Sequence, residues 1–234
     1  MVPTVERKNA TATLGTAAGW LRAAPALIGI SLVVNAVSTV SQVISWSNLL
    51  TFPLSLVLAG VIHLYAAEMV TNHRPSLNES IRSVLTRLPH LFVIALLIGI
   101  GTVFGLFLLV IPGFYFLLKL SLAPAACVID QRGIGASMQT SWDLTEGDLG
   151  KILAIQLITG MITIAAYLFG LVAVGGFESL PQYSQMTLVW VGLVALPVQA
   201  VITPIAQLSL ARIYLENRDT GDVTDTDGAD EPSP

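Results

Sequence analysis

The sequence predicts an all-α, polytopic integral membrane protein with six transmembrane helices and cytoplasmic interfacial amphipathic helices. Three observations support this fold class: 54% of the 234 residues are apolar, 11% are charged, and the apolar residues are gathered in six runs. A soluble domain has about 25% charged residues, so this chain would expose far too much apolar surface to water. The composition therefore excludes a soluble globule, a disordered chain and a nucleic-acid binder.

Five of the six apolar runs are long enough to cross a bilayer as helices. Runs of 21 to 24 residues give helices of about 32–36 Å, against a hydrocarbon core of about 30 Å. Because lipid offers no partner for backbone polar groups, such runs must be helical. The fourth run has 16 residues and contains Lys119 and Pro124, so we expect it to be tilted, broken or re-entrant. The runs are residues 24–44, 49–70, 91–111, 114–129, 152–174 and 188–211.

The distribution of Lys and Arg predicts the topology. Ten of the eleven bases lie outside the runs, and all ten fall in the leading segment, in alternate connections or after the last run. The other connections, residues 45–48, 112–113 and 175–187, contain none. Because cytoplasmic loops are enriched in Lys and Arg, this pattern predicts a multi-pass protein of the cell membrane with both termini in the cytoplasm.

Two of the predicted cytoplasmic connections have the pattern of amphipathic helices that lie in the membrane surface. In the first, Ser76 and Glu79 can form a capping box, and Pro89 is expected to end the helix. In the second, residues 134–144, apolar residues recur every four positions, and Asp148 is then expected to cap the fifth span.

The chain divides into three predicted regions. Residues 1–23 form a cytoplasmic lead with an interfacial helix, and residues 24–215 form the six-helix membrane domain. Residues 216–234 carry seven acidic residues, one arginine and almost nothing apolar, so we expect a disordered tail. Together with only three Lys among the eleven bases, this Asp- and Thr-rich tail suggests the hypothesis of a salt-adapted, archaeal organism.

Polar side chains form stripes along one face of the first, fifth and sixth spans. The amides Asn35, Gln156, Gln199 and Gln207 are the candidate functional residues of these stripes. The stripes also contain Ser31, Ser38, Gln42, Thr159, Thr163, Tyr167 and Thr203. Because the stripes carry no charge, the preferred interpretation is hydrogen bonding between packed helices. The alternative is a hydrated cavity enclosed by the three spans.

Charged residues suggest further sites. Lys119 lies inside the fourth run and is expected to extend to the outer surface, because side chains lean toward the helix N-terminus. Glu68 lies inside the second run and is expected to pair with Arg74 or to stay partly protonated. Arg82 and Arg87 could hold anionic lipid head groups at about 1 kcal/mol each.

Two pairs of small residues predict close helix crossings. They are Gly101 with Gly105 in the third span and Ala166 with Gly170 in the fifth. Each crossing could lie within one chain or between two chains, and we expect the former.

The region from the third to the fifth span carries a recognisable motif. Its residues are Pro112, Gly113, Lys119, Pro124, Ser141, Trp142 and Gly147. The motif resembles the membrane domain that is fused to some glycerophosphodiester phosphodiesterases and also occurs in stand-alone bacterial and archaeal membrane proteins. The resemblance implies the membrane fold and location. It implies no phosphodiesterase activity, because the catalytic barrel is missing. Lys119 stands where that family more often has Arg.

The leading functional hypothesis is a non-enzymatic membrane module that organises lipids, partner membrane proteins or copies of itself. It requires no cofactor, no metal and no nucleic acid, since the sequence contains no recognised catalytic or metal-binding spacing. One alternative is a small-solute transporter or channel that uses the polar stripes. A second alternative is an intramembrane lipid-modifying enzyme that uses Glu68.

Overall fold

The computed structural model describes residues 8–41, 48–70, 77–108, 110–175 and 185–227, which form helices without any strand. Among the described residues, five helical stretches are long and apolar enough to cross a membrane, one of which, Ile111–Ile129, joins α5 and α6, or six if the bent pair α1 and α2 counts as one span. This confirms the predicted all-α, multi-span fold. The helices are α1 Ala10–Ala23, α2 Pro25–Ser41, α3 Asn48–Val70, α4 Leu77–Leu108, α5 Val110–Lys119, α6 Ala123–Ile129, α7 Ile134–Leu144, α8 Leu149–Val174 and α9 Gln185–Asp227.

Helices α1 and α2 meet at an angle of 95°. The N-terminus of α1 is capped by Asn9, whose side-chain oxygen accepts a 3.0 Å hydrogen bond from the backbone N–H of Ala12. Pro25 is the first residue of α2, a position where its missing N–H costs nothing. The bend therefore separates the predicted interfacial helix from the first span, of which residues 42–44 lie outside the described part.

Helix α4 runs through Pro89 without a break, so the prediction that Pro89 ends a separate surface helix is wrong. Packing on both sides of the proline explains the continuity. Val84 precedes Pro89, Leu91 follows it, and both are buried against Gly60 of α3. This packing outweighs the one backbone hydrogen bond that proline removes. Ser76 of the predicted capping box lies outside the described residues.

Helices α4 and α5 form a tight hairpin. The prediction of a loop at Pro112 and Gly113 is wrong, because both residues lie in the first turn of α5, where proline is tolerated. A Cβ atom on Gly105 would lie 2.7 Å from the Cα atom of Gly113, and one on Gly101 would overlap the ring of Phe116. The glycine pair of the third span thus serves a crossing within the chain.

Helices α2, α8 and α9 also pack closely through small residues. A Cβ atom on Gly170 of α8 would lie 2.7 Å from the carbonyl oxygen of Val191, and one on Gly192 of α9 would lie 2.5 Å from the side chain of Thr39. Ala166 is buried one turn before Gly170. The small-residue pair of the fifth span therefore also serves an internal crossing.

Helix α9 packs against α1, α2, α3 and α8 and extends beyond the predicted membrane domain. It is helical to Asp227, where the sequence predicted disorder from residue 216. Two contacts hold its first extra turn: the Asn217 amide donates to the carbonyl oxygen of Leu144 at 2.8 Å, and Arg218 pairs with Asp130 at 2.9 Å. Residues 228–234 lie outside the described part.

Candidate functional site

A cavity of about 350 Å³ lies between the helices and is the candidate functional site. Asn35 and Ser38 line it from α2, and Gln156 lines it from α8. Thr203 and Gln207 line it from α9. Five residues of the polar stripes of the first, fifth and sixth spans therefore line one space, whereas Ser31, Thr159, Thr163, Tyr167 and Gln199 do not. That this space is hydrated stays a prediction.

Further walls of the cavity come from α3, α4 and the turn between α5 and α6. Ser55 of α3 and Ser121 of the turn add two hydroxyl groups to the lining. No charged side chain lines the cavity among the described residues. The remaining lining residues are apolar: Val34, Leu56, Leu58, Ala59, Leu91, Ala95, Ile98, Leu117, Leu120, Pro124 and Leu210. The cavity is therefore amphipathic but uncharged.

Hydrogen bonds within each helix satisfy part of the polar stripes. The Asn35 amide donates to the carbonyl oxygen of Ser31 at 2.8 Å, and the Thr159 hydroxyl donates to the carbonyl oxygen of Ile155 at 2.8 Å. In the described part of the chain, the amides of Gln156 and Gln207 bond to no other residue. The preferred interpretation, hydrogen bonding between helices, therefore does not describe these two amides.

The fourth span is broken where it borders the cavity. Helix α5 ends at Lys119 and α6 begins at Ala123, so the backbone of residues 120–122 forms a turn. This outcome is one of the three that its length and Pro124 predicted. Irregular backbone at membrane depth is stable only where it is buried in protein or lines a cavity. Leu120 and Ser121 meet this condition because they form part of the cavity wall.

Ser141 of α7 bridges the two sides of this break. Its hydroxyl donates to the carbonyl oxygen of Lys119 at 2.8 Å and accepts from the backbone N–H of Leu122 at 3.1 Å. Ser141 is fully buried. One side chain thus satisfies a carbonyl and an N–H that an unbroken helix would have paired internally. We call this arrangement, Lys119, Leu122 and Ser141, the serine bridge.

Lys119 is buried, so the prediction that it reaches the outer surface is wrong. Its ammonium group donates to the carbonyl oxygen of Trp142 at 3.1 Å and lies 5.3 Å from the centre of the Trp142 ring system. The Tyr115 ring centre is 6.0 Å away. The carbonyl and the aromatic faces replace water around the cation, which holds Lys119 against α7.

A known family matches the part of the chain that contains most of these residues. Residues 30–174, well over half of the chain, match UPF0259, described as an uncharacterised protein family. The chain belongs to the UPF0259 family. A UPF0259 membrane protein of Photorhabdus laumondii is 32% identical over 103 residues, which is 44% of this chain and 40% of the relative. The match thus spans less than half of that relative. No solved structure matches.

The family match supports the coarse predictions: this UPF0259 chain is a membrane protein with several membrane-spanning helices. The matched region includes the serine bridge, Asn35 and Gln156, whereas Gln207 lies beyond it on α9. The resemblance of the motif to the membrane domain that is fused to some glycerophosphodiester phosphodiesterases stays a prediction.

Motif residues of the UPF0259 protein outside the bridge also have structural roles. Gly147, at φ +90°, adopts the left-handed backbone conformation that favours glycine, in the turn between α7 and α8. Asp148 follows as the N-cap residue of α8, as predicted, but its side chain makes no capping hydrogen bond. Pro124 lies in the first turn of α6, on the cavity wall.

The other candidate residues lie away from the cavity. Gln199 is on α9 but is not part of the lining. Glu68 lines a separate pocket of about 210 Å³ together with Arg218, and its predicted partner Arg74 lies outside the described residues. Arg82 is exposed, and Arg87 donates to the side-chain oxygen of Gln131 at 3.1 Å. Lipid binding by the two arginines stays a prediction.

The sequence missed a cluster of paired charges, buried at Arg212 and Glu216 and exposed at Arg132, which we call the charged end. Glu216 of α9 pairs with Lys151 of α8 and, at 2.8 Å, with Arg212 of α9. The Arg212 guanidinium lies 5.7 Å from the centre of the Trp20 ring system of α1. Asp130 completes the charged end through its pair with Arg218 and the neighbouring Arg132 at 3.6 Å. No three His, Cys, Asp or Glu side chains of the described ranges form a metal-binding group.

Proposed function

We propose that this UPF0259 protein is a non-enzymatic module of the cell membrane that holds an uncharged ligand in the polar cavity and thereby organises lipids or partner membrane proteins. One observation carries the proposal: uncharged polar residues of α2, α8 and α9 converge on a cavity of about 350 Å³. Pockets that bind small molecules usually enclose about 300–1,000 Å³. The cavity is therefore large enough for a ligand or its head group.

The polar lining favours a hydrogen-bonding occupant. A buried amide without a partner costs roughly 1–3 kcal/mol by protein mutational data. Gln156 and Gln207 are half-buried and have no protein partner among the described residues, so we expect water or a ligand to bond to them. Because the lining carries no charge, an ionised ligand would lose its hydration without gaining a counter-charge. An uncharged ligand avoids this loss.

The location is part of the proposal. The ten bases outside the apolar runs favour the cell membrane, with both termini in the cytoplasm. In that orientation the charged end faces the cytoplasm, close to the anionic head groups of lipids. The exposed Arg82 is then available to such a head group, at about 1 kcal/mol.

Cysteine labelling tests the cavity. Gln156→Cys and Gln207→Cys are made separately with Cys127→Ala, which removes the only native thiol, and Gln199→Cys is the matched control on α9. We expect a small water-soluble thiol reagent to modify positions 156 and 207 faster than position 199, because only the first two line the cavity. Equal protection of all three positions would mean that these amides are packed away from solvent, and the proposal would fail.

A second candidate function is transport of a small uncharged solute. The break between α5 and α6 favours it, because transporters often place discontinuous helices beside a central binding site. Proteoliposomes that contain the purified chain should then release an encapsulated solute such as glycerol faster than empty liposomes. A binding module without transport activity predicts equal release rates.

A further inference from the structure

A long apolar groove adjoins the polar cavity. It has a volume of about 590 Å³ and lies between Phe52 of α3 and the second half of α4. Its other lining residues are Ala95, Leu96, Gly99, Ile100, Val103, Phe104 and Phe107, all without a polar side chain. Val103, Phe104 and Phe107 are 68%, 65% and 88% exposed, so the groove opens to the surroundings of the helices.

The cavity and the groove share a wall. Ala95 lines both, while Leu91 and Ile98 face the cavity and Gly99 faces the groove. From Ala95 the groove follows α4 to Phe107, a distance of about 18 Å at 1.5 Å per residue. This distance is about half of a hydrocarbon core of about 30 Å, or the depth of one leaflet. A molecule can therefore place a polar part in the cavity and an apolar chain in the groove.

The chemistry of the two compartments limits the polar part. Amide and hydroxyl groups of Asn35, Gln156 and Thr203 can donate and accept hydrogen bonds, but the described lining offers no cation for a phosphate. A phosphate in this cavity would be desolvated without a counter-charge, which is strongly unfavourable. A hydroxyl or ester head group loses little hydration and can bond to the amides.

We infer that the ligand is a membrane lipid with an uncharged, hydroxyl-bearing head group, of the diacylglycerol class, whose head occupies the cavity and whose chain occupies the groove. The inference rests on the proposed function and names its ligand. If it is correct, binding is selective for the lipid head group, because the cavity contacts the head. Binding also depends on the acyl chain, because the groove contacts the chain.

A thiol placed in the cavity reports on occupancy. Ala59 lines the cavity without contributing a polar group, so Ala59→Cys with Cys127→Ala leaves the amides intact. The probe is 1,2-dioleoylglycerol added to the purified full-length chain in detergent, and dioleoylphosphatidic acid is the control, with the same chains and a charged head. At a concentration of about ten times the Kd, we expect dioleoylglycerol to slow modification of the thiol at position 59 about tenfold, and phosphatidic acid to leave the rate unchanged.

Filling the groove tests the chain. Gly99 lines the groove with open space around its Cα atom, so Gly99→Phe should block the chain and remove the protection. Leu97→Phe is the matched control, since Leu97 is exposed on the same helix but does not line the groove. Unfolding temperatures of both variants, with and without dioleoylglycerol, show that they are folded and measure binding without the reporter.

The outcomes separate the two proposals. Protection by dioleoylglycerol alone, lost in Gly99→Phe and kept in Leu97→Phe, supports the inference. Three outcomes would overturn the proposed lipid ligand and leave the cavity proposal standing. They are modification of the Ala59→Cys variant without protection by dioleoylglycerol, equal protection by phosphatidic acid, and protection that survives Gly99→Phe. If the thiols introduced at positions 59, 156 and 207 all resist modification, the cavity proposal fails, and the inference fails with it.

Discussion

Ser141 shows how one small side chain can stabilise a broken helix inside a membrane protein. Its hydroxyl bonds to the Lys119 carbonyl and to the Leu122 N–H, and the site is closed to water. A polar group buried in this way is expensive to leave unpaired. The serine bridge therefore fixes the position of the turn that forms part of the cavity wall.

Replacing Ser141 should lower stability more than replacing its neighbour Ser137. Ser141→Ala leaves the buried N–H of Leu122 without its partner and the Lys119 carbonyl with only the longer 3.4 Å bond from the Thr145 hydroxyl, at about 1–3 kcal/mol. Ser137 is equally buried on α7, but its hydroxyl makes weaker bonds, a 3.3 Å bond to the Arg132 carbonyl and one with the thiol of Cys127. The measurement is the midpoint of thermal unfolding in detergent. A midpoint for Ser137→Ala as low as that for Ser141→Ala would contradict the role assigned to the bridge.

The sequence predicted residues of the site better than their contacts. Periodicity identified the amides Asn35, Gln156 and Gln207, because residues three or four apart share a helix face. Periodicity does not give the distance between helices, so packing and a cavity stayed open as interpretations. Ser141 entered only through the family resemblance, since 22 positions separate it from Lys119 and no local pattern connects the two.

At the level of elements, the hairpin of α4 and α5 depends on the absence of a side chain at Gly105. A Cβ atom there would lie 2.7 Å from Gly113 Cα and 2.9 Å from Gly113 N, and both are backbone atoms that cannot turn aside. Gly101 and Phe116 continue the contact one turn earlier on α4. This hairpin leads directly into Lys119, so its geometry reaches the serine bridge.

Gly105→Ala should destabilise the protein, whereas Gly99→Ala should not. The first forces two helices apart, and overpacking of this kind costs about 1–3 kcal/mol. The second adds a methyl group where nothing lies within 4 Å, and alanine is a better helix former by up to about 1 kcal/mol. Unfolding midpoints of both variants measure the difference. Equal midpoints would show that α4 and α5 do not meet at Gly105.

Local signals predicted some elements completely and others wrongly. The four-residue apolar period gave α7 the bounds of residues 134–144, which the structure confirms. The prediction that a helix ends at Pro89 was wrong. Whether a proline ends a helix depends on whether the segments before and after it pack on the same neighbour, which here is α3. The helix propensity of single residues cannot predict tertiary packing of this kind.

For the molecule as a whole, the charged end connects α1, α8 and α9. Glu216 lies in the region predicted to be a disordered tail, yet its side chain is 1% exposed between Lys151 and Arg212. The pair with Lys151 joins residues 65 positions apart, and the stacking of Arg212 on Trp20 adds α1. Composition alone could not assign Glu216 to the core.

Glu216→Gln should therefore destabilise the fold strongly. Removing the carboxylate leaves two buried cations facing each other, and breaking a buried ion pair in this way costs about 3–5 kcal/mol. Glu146→Gln, at an exposed position in the turn before α8, is the matched control and should leave the unfolding midpoint unchanged. A second substitution, Lys151→Met, should recover part of the loss, because it removes one uncompensated cation. Equal midpoints for Glu216→Gln and Glu146→Gln would exclude this role.

The orientation of the molecule in the membrane is predicted by the ten bases outside the apolar runs, four of which belong to the charged end. Because Lys and Arg of short loops stay on the cytoplasmic side, the ten bases outside the apolar runs should face the cytoplasm. Fusions truncated after residue 146 and after residue 234 should then make a green fluorescent reporter fluoresce, while a fusion after residue 180 should activate a periplasmic phosphatase. Phosphatase activity after residue 234, or fluorescence after residue 180, would reverse the assignment. Because Lys151 and Arg218 lie at the charged end, such a reversal would also place that end, and the acidic residues beyond it, outside the cell.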